Sequence, residues 1–270
     1  MKPDISFIFV NFRSVNLLRS ALSSVYQAAL GQGILAEYIV VNNDKDEAEP
    51  INRLRTHPAS PNVIQAASNG GFGRANNSGA EMASGEVLFF INPDAVLRSG
   101  SFLGLLAAFR FQPKALYGMA LVGETGRREP WSSGKFPSLW RLLISRIVPW
   151  MYPVPIPWQA KYICKTGWVS GAACALRRDF FQSLQGFDEA FFLYFEDVDL
   201  ARRVTEAGGS VSVYPFITFW HKGGQSHGSF REKKEAYYAG QREYFRKWRP
   251  NYERAILSLC QRIKSLLLPL

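Results

Sequence analysis

The chain has 270 residues, enough for one large α/β domain or one domain with a small appendage, and its 47% hydrophobic and 14% aromatic content excludes a disordered chain. Thirty-two basic against 22 acidic residues give a formal charge of +10, which favours an anionic partner: nucleic acid, an anionic membrane surface or a phosphorylated substrate. Cys164, Cys174 and Cys260 are odd in number and lack metal-ligand spacing, so neither a disulfide framework nor a zinc site is expected, and a reducing cytoplasm is the natural compartment.

The first residues, MKPDISFIFVNF, carry a strand pattern without a small-residue cleavage site, so no signal peptide is expected. No run reaches the about 18 apolar residues that a membrane span requires. Ile5 to Phe12 reads as a buried strand. Ser14 stands in a capping position before Leu17, Leu18, Ala21, Leu22 and Val25, which have helical spacing. Tyr38 to Val41 is a second strand, ending in Asn42-Asn43-Asp44. Val63-Ile64 suggests a third, followed by Ser68 to Gly73 and a small-residue helix through Ala75, Ala80, Met82 and Ala83. Val87 to Ile91 is a fourth strand, and Asn92-Pro93 stops it because proline lacks a ladder donor. Asp94 then falls at the C-terminal lip of a sheet, where α/β proteins bind ligands, although Asn-Pro-Asp also suits an ordinary turn. This alternation implies an α/β fold with a mostly parallel central sheet flanked by helices, its first hundred residues resembling a nucleotide-binding half.

From Trp131 to residue 167 the composition turns to Trp, Pro and basic residues, read as an excursion over an active-site mouth. Repeated prolines exclude a long helix through Val154, Ile156 and Trp158, while Leu139 to Val148 has the spacing of a short amphipathic one. Regular structure resumes at Trp168 to Leu176, and an aromatic strand is expected at Phe191 to Phe195. A helix from about Asp197 to Ala207 stops at Gly208-Gly209, and Ser210 to Tyr214 forms another strand. Residues 1–228 thus read as the main domain. Residues 229–270 read as a basic amphipathic helical region, with Ile256, Leu257, Leu259, Ile263, Leu266, Leu267 and Leu268 as its apolar positions.

Three constellations have the residue types for chemistry. Gly70, Gly71 and Gly73 would let backbone N–H groups approach a diphosphate at a helix start, but their spacing fits neither the dinucleotide fingerprint nor the P-loop, and a tight turn also explains them. Asn69, Asn76 and Asn77 flank that loop with amides able to read sugar hydroxyls or a base. Glu196, Asp197 and Asp199 follow five bulky residues at a helix start, where the macrodipole favours negative charge. Capping by Asp197 and an i,i+4 pair of Asp199 with Arg203 explain one or two of them. The Glu-Asp pair also has the form of a general base with a partner that tunes its pKa. His221 and His227, two of three histidines, fall in a glycine-rich loop that suits a structural role, metal ligation or diphosphate contact.

In order along the chain, VNF (10–12), VVNN (40–43), NGGFGRANNSG (69–79), INPDA (91–95), WVSGAA (168–173), FFLYFEDVDLARR (191–203) and His221 resemble family 2 glycosyltransferases, with a likeness to the bacterial rhamnosyltransferase-like branch. The resemblance runs from about Ile5 to Ser226. It implies a GT-A fold and inverting transfer of a sugar from a nucleoside diphosphate donor. By motif position Asp94 would be the metal-binding member of the family's Asp-X-Asp element and Asn92 its first member, with Asp197 the catalytic base and Glu196 its support. Asn42 stands where the family usually has an aspartate that contacts a pyrimidine base. Asn11, Asn69 and Asn76 match donor-pocket positions, and His221 matches a late histidine near the diphosphate or metal. Asparagine at 42 and 92 departs from the pattern. The Asn42 carbonyl can still accept from a pyrimidine N3–H, whereas Asn92 leaves the cation without one anionic ligand.

The resemblance further implies Mg²⁺ or Mn²⁺ as cofactor and dTDP-rhamnose as donor, with a UDP-sugar the alternative. The implied acceptor is a glycan or a polyprenyl-diphosphate-linked saccharide used in O-antigen, capsule or another cell-surface polysaccharide. The basic excursion and tail suit an anionic membrane surface, so a peripheral position on the inner face of the cytoplasmic membrane is expected. Packing on the main domain and a homodimer are the tail's other uses. A non-catalytic nucleotide-sugar or glycan-binding protein is the competing function, and Asp94, Glu196 and Asp197 count against it. The charge is unaccompanied by a nucleic-acid motif, so nucleic acid is not an expected partner.

Overall fold

A computed structural model describes the chain apart from residues 124, 128, 130, 131, 148–160, 222–229 and 268–270. The first half follows the expected alternation: β1 (Ile5–Asn11), α1 (Val15–Gly31), β2 (Ala36–Asn42), α2 (Ala48–Asn52), β3 (Asn62–Gln65), α3 (Phe72–Met82) and β4 (Val87–Ile91). Sequence periodicity assigns nothing between 96 and 130, where β5 (Ala95–Gly100), α4 (Phe102–Phe111) and β6 (Ala115–Val122) lie. Next come β7 (Ser133–Gly134), α5 (Leu139–Ile147), β8 (Cys164–Lys165), β9 (Trp168–Val169), β10 (Ala173–Arg177) and α6 (Arg178–Ser183). The chain continues with α7 (Glu196–Glu206), β11 (Ser210–His221), α8 (Phe230–Trp248) and α9 (Asn251–Leu267).

Eight strands run β3-β2-β1-β4-β10-β6-β11-β5 across one sheet, with β8 also pairing to β11. Pairs β1–β2, β1–β4, β2–β3 and β6–β11 are parallel, and β10 enters antiparallel between β4 and β6. Side chains alternate between two cores, which is why these strands read as unbroken apolar runs. Phe7, Phe9, Val40 and Phe89 face Leu18, Leu22 and Val25 of α1 and Phe102 of α4. Ile8, Ile39, Val41 and Phe90 face Ala75 and Ala80 of α3, with Phe181, Leu200 and Val204. A third cluster, containing Leu139, Phe191, Phe195, Val198, Tyr244, Phe245 and Leu257, packs α8 and α9 against α5 and α7. Trp248 Nε1 and Lys247 Nζ reinforce it, reaching the fully buried Asp199 at 2.7 and 2.8 Å.

Three local expectations are corrected. Phe191–Phe195 is a loop rather than a strand: Tyr194 and Phe195 have φ of 69° and 71°, the left-handed region, and no ladder can include them. Ser14 does not cap α1 with its side chain. Instead its Oγ donates to Asn11 Oδ1 at 3.0 Å, while the Glu47 carboxylate accepts from the Ser14 N–H at 2.9 Å. The last strand runs past Tyr214, shifting register around Pro215, and ends on His221, which therefore belongs to the sheet rather than to a loop. Val154, Ile156, Trp158, His227 and Leu268 lie outside the described residues. Among the described residues, no helix is long and apolar enough to cross a membrane.

Candidate active site

Asn11 pairs with Asn42 and Ile91 with Phe9, so β1, β2 and β4 end together along one edge. Beyond that edge lies a cavity of about 550 Å³. Arg13 and Asn43, the turn Asn92-Pro93-Asp94, the β9–β10 turn Ser170-Gly171-Ala172, the loop 192–197 and His221 all border it, and the first turns of α8 close it with Glu232, Lys233 and Ala236.

Glu196 and Asp197 both line the cavity. Their loop is held to the glycine segment: the Phe72 N–H donates to the Phe192 carbonyl at 2.9 Å, and a Cβ on Gly71 would stand 2.3 Å from that oxygen. Gly71 also has φ of 93°, so the glycine is required by backbone approach and conformation together. Its N–H donates to Asn69 Oδ1 at 3.0 Å, which makes this segment a tight turn supporting the acidic loop. Asp197 borders the cavity with both oxygens engaged: Oδ2 accepts from the Gly171 N–H at 3.0 Å and Oδ1 from the Val198 N–H at 2.8 Å. Glu196 is buried, and its Oε2 has no hydrogen-bond partner among the described residues. Burial, then the Asp197 charge beside it, pushes the Glu196 carboxyl well above its ordinary pKa. Burial also raises Asp197, while the Gly171 and Val198 amides pull it back. The negative charge of the pair therefore resides on Asp197.

Asp94 and His221 meet elsewhere on the cavity lining, with Asp94 Oδ1 3.3 Å from His221 Nε2. His221 Nδ1 lies 2.8 Å from Glu129 Oε2, which fixes the ring from behind. Burial alone would lower the histidine's pKa, but hydrogen bonds and charge from Asp94 and Glu129 raise it to about 9. Asn92 Oδ1 is buried and unpartnered among the described residues. An orphaned amide oxygen beside a carboxylate and an imidazole nitrogen fits a divalent cation that prefers oxygen ligands. No group of three or more His, Cys, Asp or Glu among the described residues converges as a metal cage.

The remaining sequence-indicated asparagines divide. Asn69 borders the cavity, where its Oδ1 also receives the Asn43 amide at 3.3 Å. Asn11, Asn42 and Asn76 are not among the cavity's lining residues. Asn42 is fully buried, donating to the Asp44 carbonyl and Gln65 Oε1 and accepting from Asn11 Nδ2 at 2.8 Å. Asn11 also donates to Glu47 Oε2 at 2.8 Å, and Asn76 to the Phe72 carbonyl at 3.0 Å. Sequence reasoning missed Arg13, Asn43, Gly171 and Glu129. Arg13 adjoins VNF (10–12), and Asn43 and Gly171 lie within VVNN (40–43) and WVSGAA (168–173) without having been given a role, whereas nothing local marks Glu129.

The profile of Glycosyl transferase family 2 matches residues 6–184. An N-acetylglucosaminyl-diphospho-decaprenol L-rhamnosyltransferase of Mycobacterium tuberculosis is 30% identical over 196 residues, which are 65% of this chain and 62% of that protein. Thus the chain spans less than two thirds of that relative's length. Rhamnosyltransferase WbbL of Escherichia coli is 23% identical over 205 residues, 73% of this chain and 77% of its own. Among solved structures, GalNAc-T7 with UDP, GalNAc and Mn²⁺ has a TM-score of 0.65 at 15% identity, covering 82% of this chain and 43% of the other. The mannosyltransferase PcManGT of Pyrobaculum calidifontis, in complex with GDP-Man and Mn²⁺, has a TM-score of 0.60 at 15% identity, covering 92% and 64%. The expected GT-A architecture is the observed one. By the extent of the profile match and the order of its motifs around one cavity, the chain belongs to glycosyl transferase family 2.

Proposed function

We propose that the protein is an inverting glycosyltransferase that moves L-rhamnose from dTDP-rhamnose to a polyprenyl-diphosphate-linked saccharide in cell-surface polysaccharide synthesis. The observation that carries this reading is one cavity lined both by the amide-held Asp197 and by Asp94 with His221. The names of the two bacterial relatives support the sugar, and the mycobacterial one supports the acceptor class.

In this reading Asp197 takes the proton of the acceptor hydroxyl, whose oxygen bonds to the anomeric carbon as the bond to the nucleoside diphosphate breaks on the far face. The Gly171 and Val198 amides hold the carboxylate in position for that transfer. A bound Mg²⁺ or Mn²⁺ supplies Lewis-acid stabilisation of the diphosphate, and Asp94, Asn92 Oδ1 and His221 would hold it. Asn69 lines the donor side, while Asn11 and Asn42 shape that wall from behind. The acceptor's lipid makes the protein peripheral to the inner face of the cytoplasmic membrane.

Glu129 acts through His221, so Glu129→Gln is expected to weaken Mn²⁺ binding by about 10- to 100-fold, measured calorimetrically without donor. Unchanged affinity would remove Glu129 from the site. The donor is tested by thermal shift across nucleotide sugars, with and without Mn²⁺. A ligand at about 100 times its Kd adds about 2.7 kcal/mol of stability. A shift with dTDP-sugars alone supports the assignment, and one confined to another nucleotide overturns it.

A further inference from the structure

Helices α5 and α9 each bury one stripe and expose another. Leu139 and Leu257 share the third cluster, and the Leu139 N–H donates to Glu253 Oε2 at 2.9 Å, joining the two helices at their first turns. Their other faces are apolar and open: Trp140 (67% exposed), Leu143 and Ile144 on α5, and Tyr252, Ile256, Leu259 (58%) and Ile263 on α9. Steps of four, three and four residues keep the α9 set on one side of the helix at about 100° per residue.

Charge selects the occupant. Glu253 is the only acid in α9, and it is 1% exposed, turned inward to Arg249 and Leu139; α5 contains no acid. Residues 229–270 carry ten Lys or Arg against four Glu. An apolar stripe in a basic region, without an outward carboxylate on either helix, complements an anionic lipid surface. A second copy of the chain would instead set this excess positive charge against itself. Direction matters as well. Gln261 contacts Gln241 and Arg242, so α9 runs antiparallel to α8, heading back toward the end of α8 that borders the cavity.

We infer that the outward faces of α5 and α9 form a docking surface for an anionic bilayer and present a lipid-anchored acceptor to the cavity mouth; the second half rests on the acceptor proposed above. The test uses the full chain, the Ile256→Glu/Leu259→Glu double variant and, on the other helix, Ile144→Glu, with melting curves confirming the fold of each. Vesicles of phosphatidylglycerol and phosphatidylethanolamine are expected to float the wild type, less so at high salt or with phosphatidylcholine alone. Both variants should lose at least about tenfold in partitioning. Their transfer to an acceptor embedded in the vesicles should fall in parallel, while transfer to a short-chain, water-soluble acceptor stays at the wild-type rate. Wild-type partitioning by both variants would overturn the docking surface. So would a wild type that ignores vesicles but sediments as a dimer split by the double variant. Absence of wild-type transfer to the soluble acceptor would contradict the proposed reaction alone and leave the vesicle result to decide the surface.

Discussion

Asp197→Asn is expected to lower sugar transfer by about 10²–10⁴-fold, the usual contribution of a positioned general base, while donor affinity stays near wild type. The substitution keeps the side-chain volume and removes the negative charge that the Gly171 and Val198 amides stabilise. The proposed donor-side residues are Asp94 and His221, so binding and chemistry should separate cleanly in single-turnover kinetics. The wild-type pH profile carries the same assignment. Burial raises the Asp197 pKa, so the base is lost to protonation as pH falls through a value above the ordinary aspartate range, and the acid limb of kcat/KM should lie there. Near-normal turnover by the variant would assign the base elsewhere.

Asp94→Ala should act on the donor side with comparable force. Asn92 is neutral, which leaves Asp94 as the carboxylate in the proposed cation site, and it is also one of the two carboxylates that raise His221. Without it the imidazole keeps Glu129 at Nδ1 but loses the partner at Nε2. The cation's carboxylate ligand and the partner that orients its imidazole ligand are lost together. A fall of about 10²–10³-fold in kcat/KM is expected, the scale seen when one electrostatic contact to developing charge is removed. Mn²⁺ titration of the variant should show the affinity loss directly, and an unchanged metal dependence would contradict the role given to Asp94.

How far the sequence revealed these features depended on whether their cause was local. β1, β2 and β4 were legible because burial on both faces demands the apolar runs read at 5–12, 38–41 and 87–91, and the stop of α7 was legible because the left-handed φ of 74° at Gly208 favours glycine. The run Phe191–Phe195 misled for a tertiary reason. Phe191 and Phe195 are buried in the third cluster while Phe192 is 52% exposed beside the cavity, a division that an apolar run cannot announce. Asn11 and Asn42 carry amides that suit either a ligand or an interior network. Their partners Glu47 and Gln65, 36 and 23 residues away, draw them into the latter. Glu129 lies 92 residues before His221, and only the folding of β11 beside the β6–β7 connection brings the two together.

The stereochemistry of one product tests the central claim most directly. Wild-type protein incubated with dTDP-rhamnose, Mn²⁺ and a short-chain diphosphate-linked saccharide should form a glycoside whose anomeric configuration, read by NMR, is opposite to that of the donor. A single displacement with Asp197 as base permits no other outcome. A product with retained configuration would contradict the account, as would cleavage of the donor that never transfers its sugar to the acceptor.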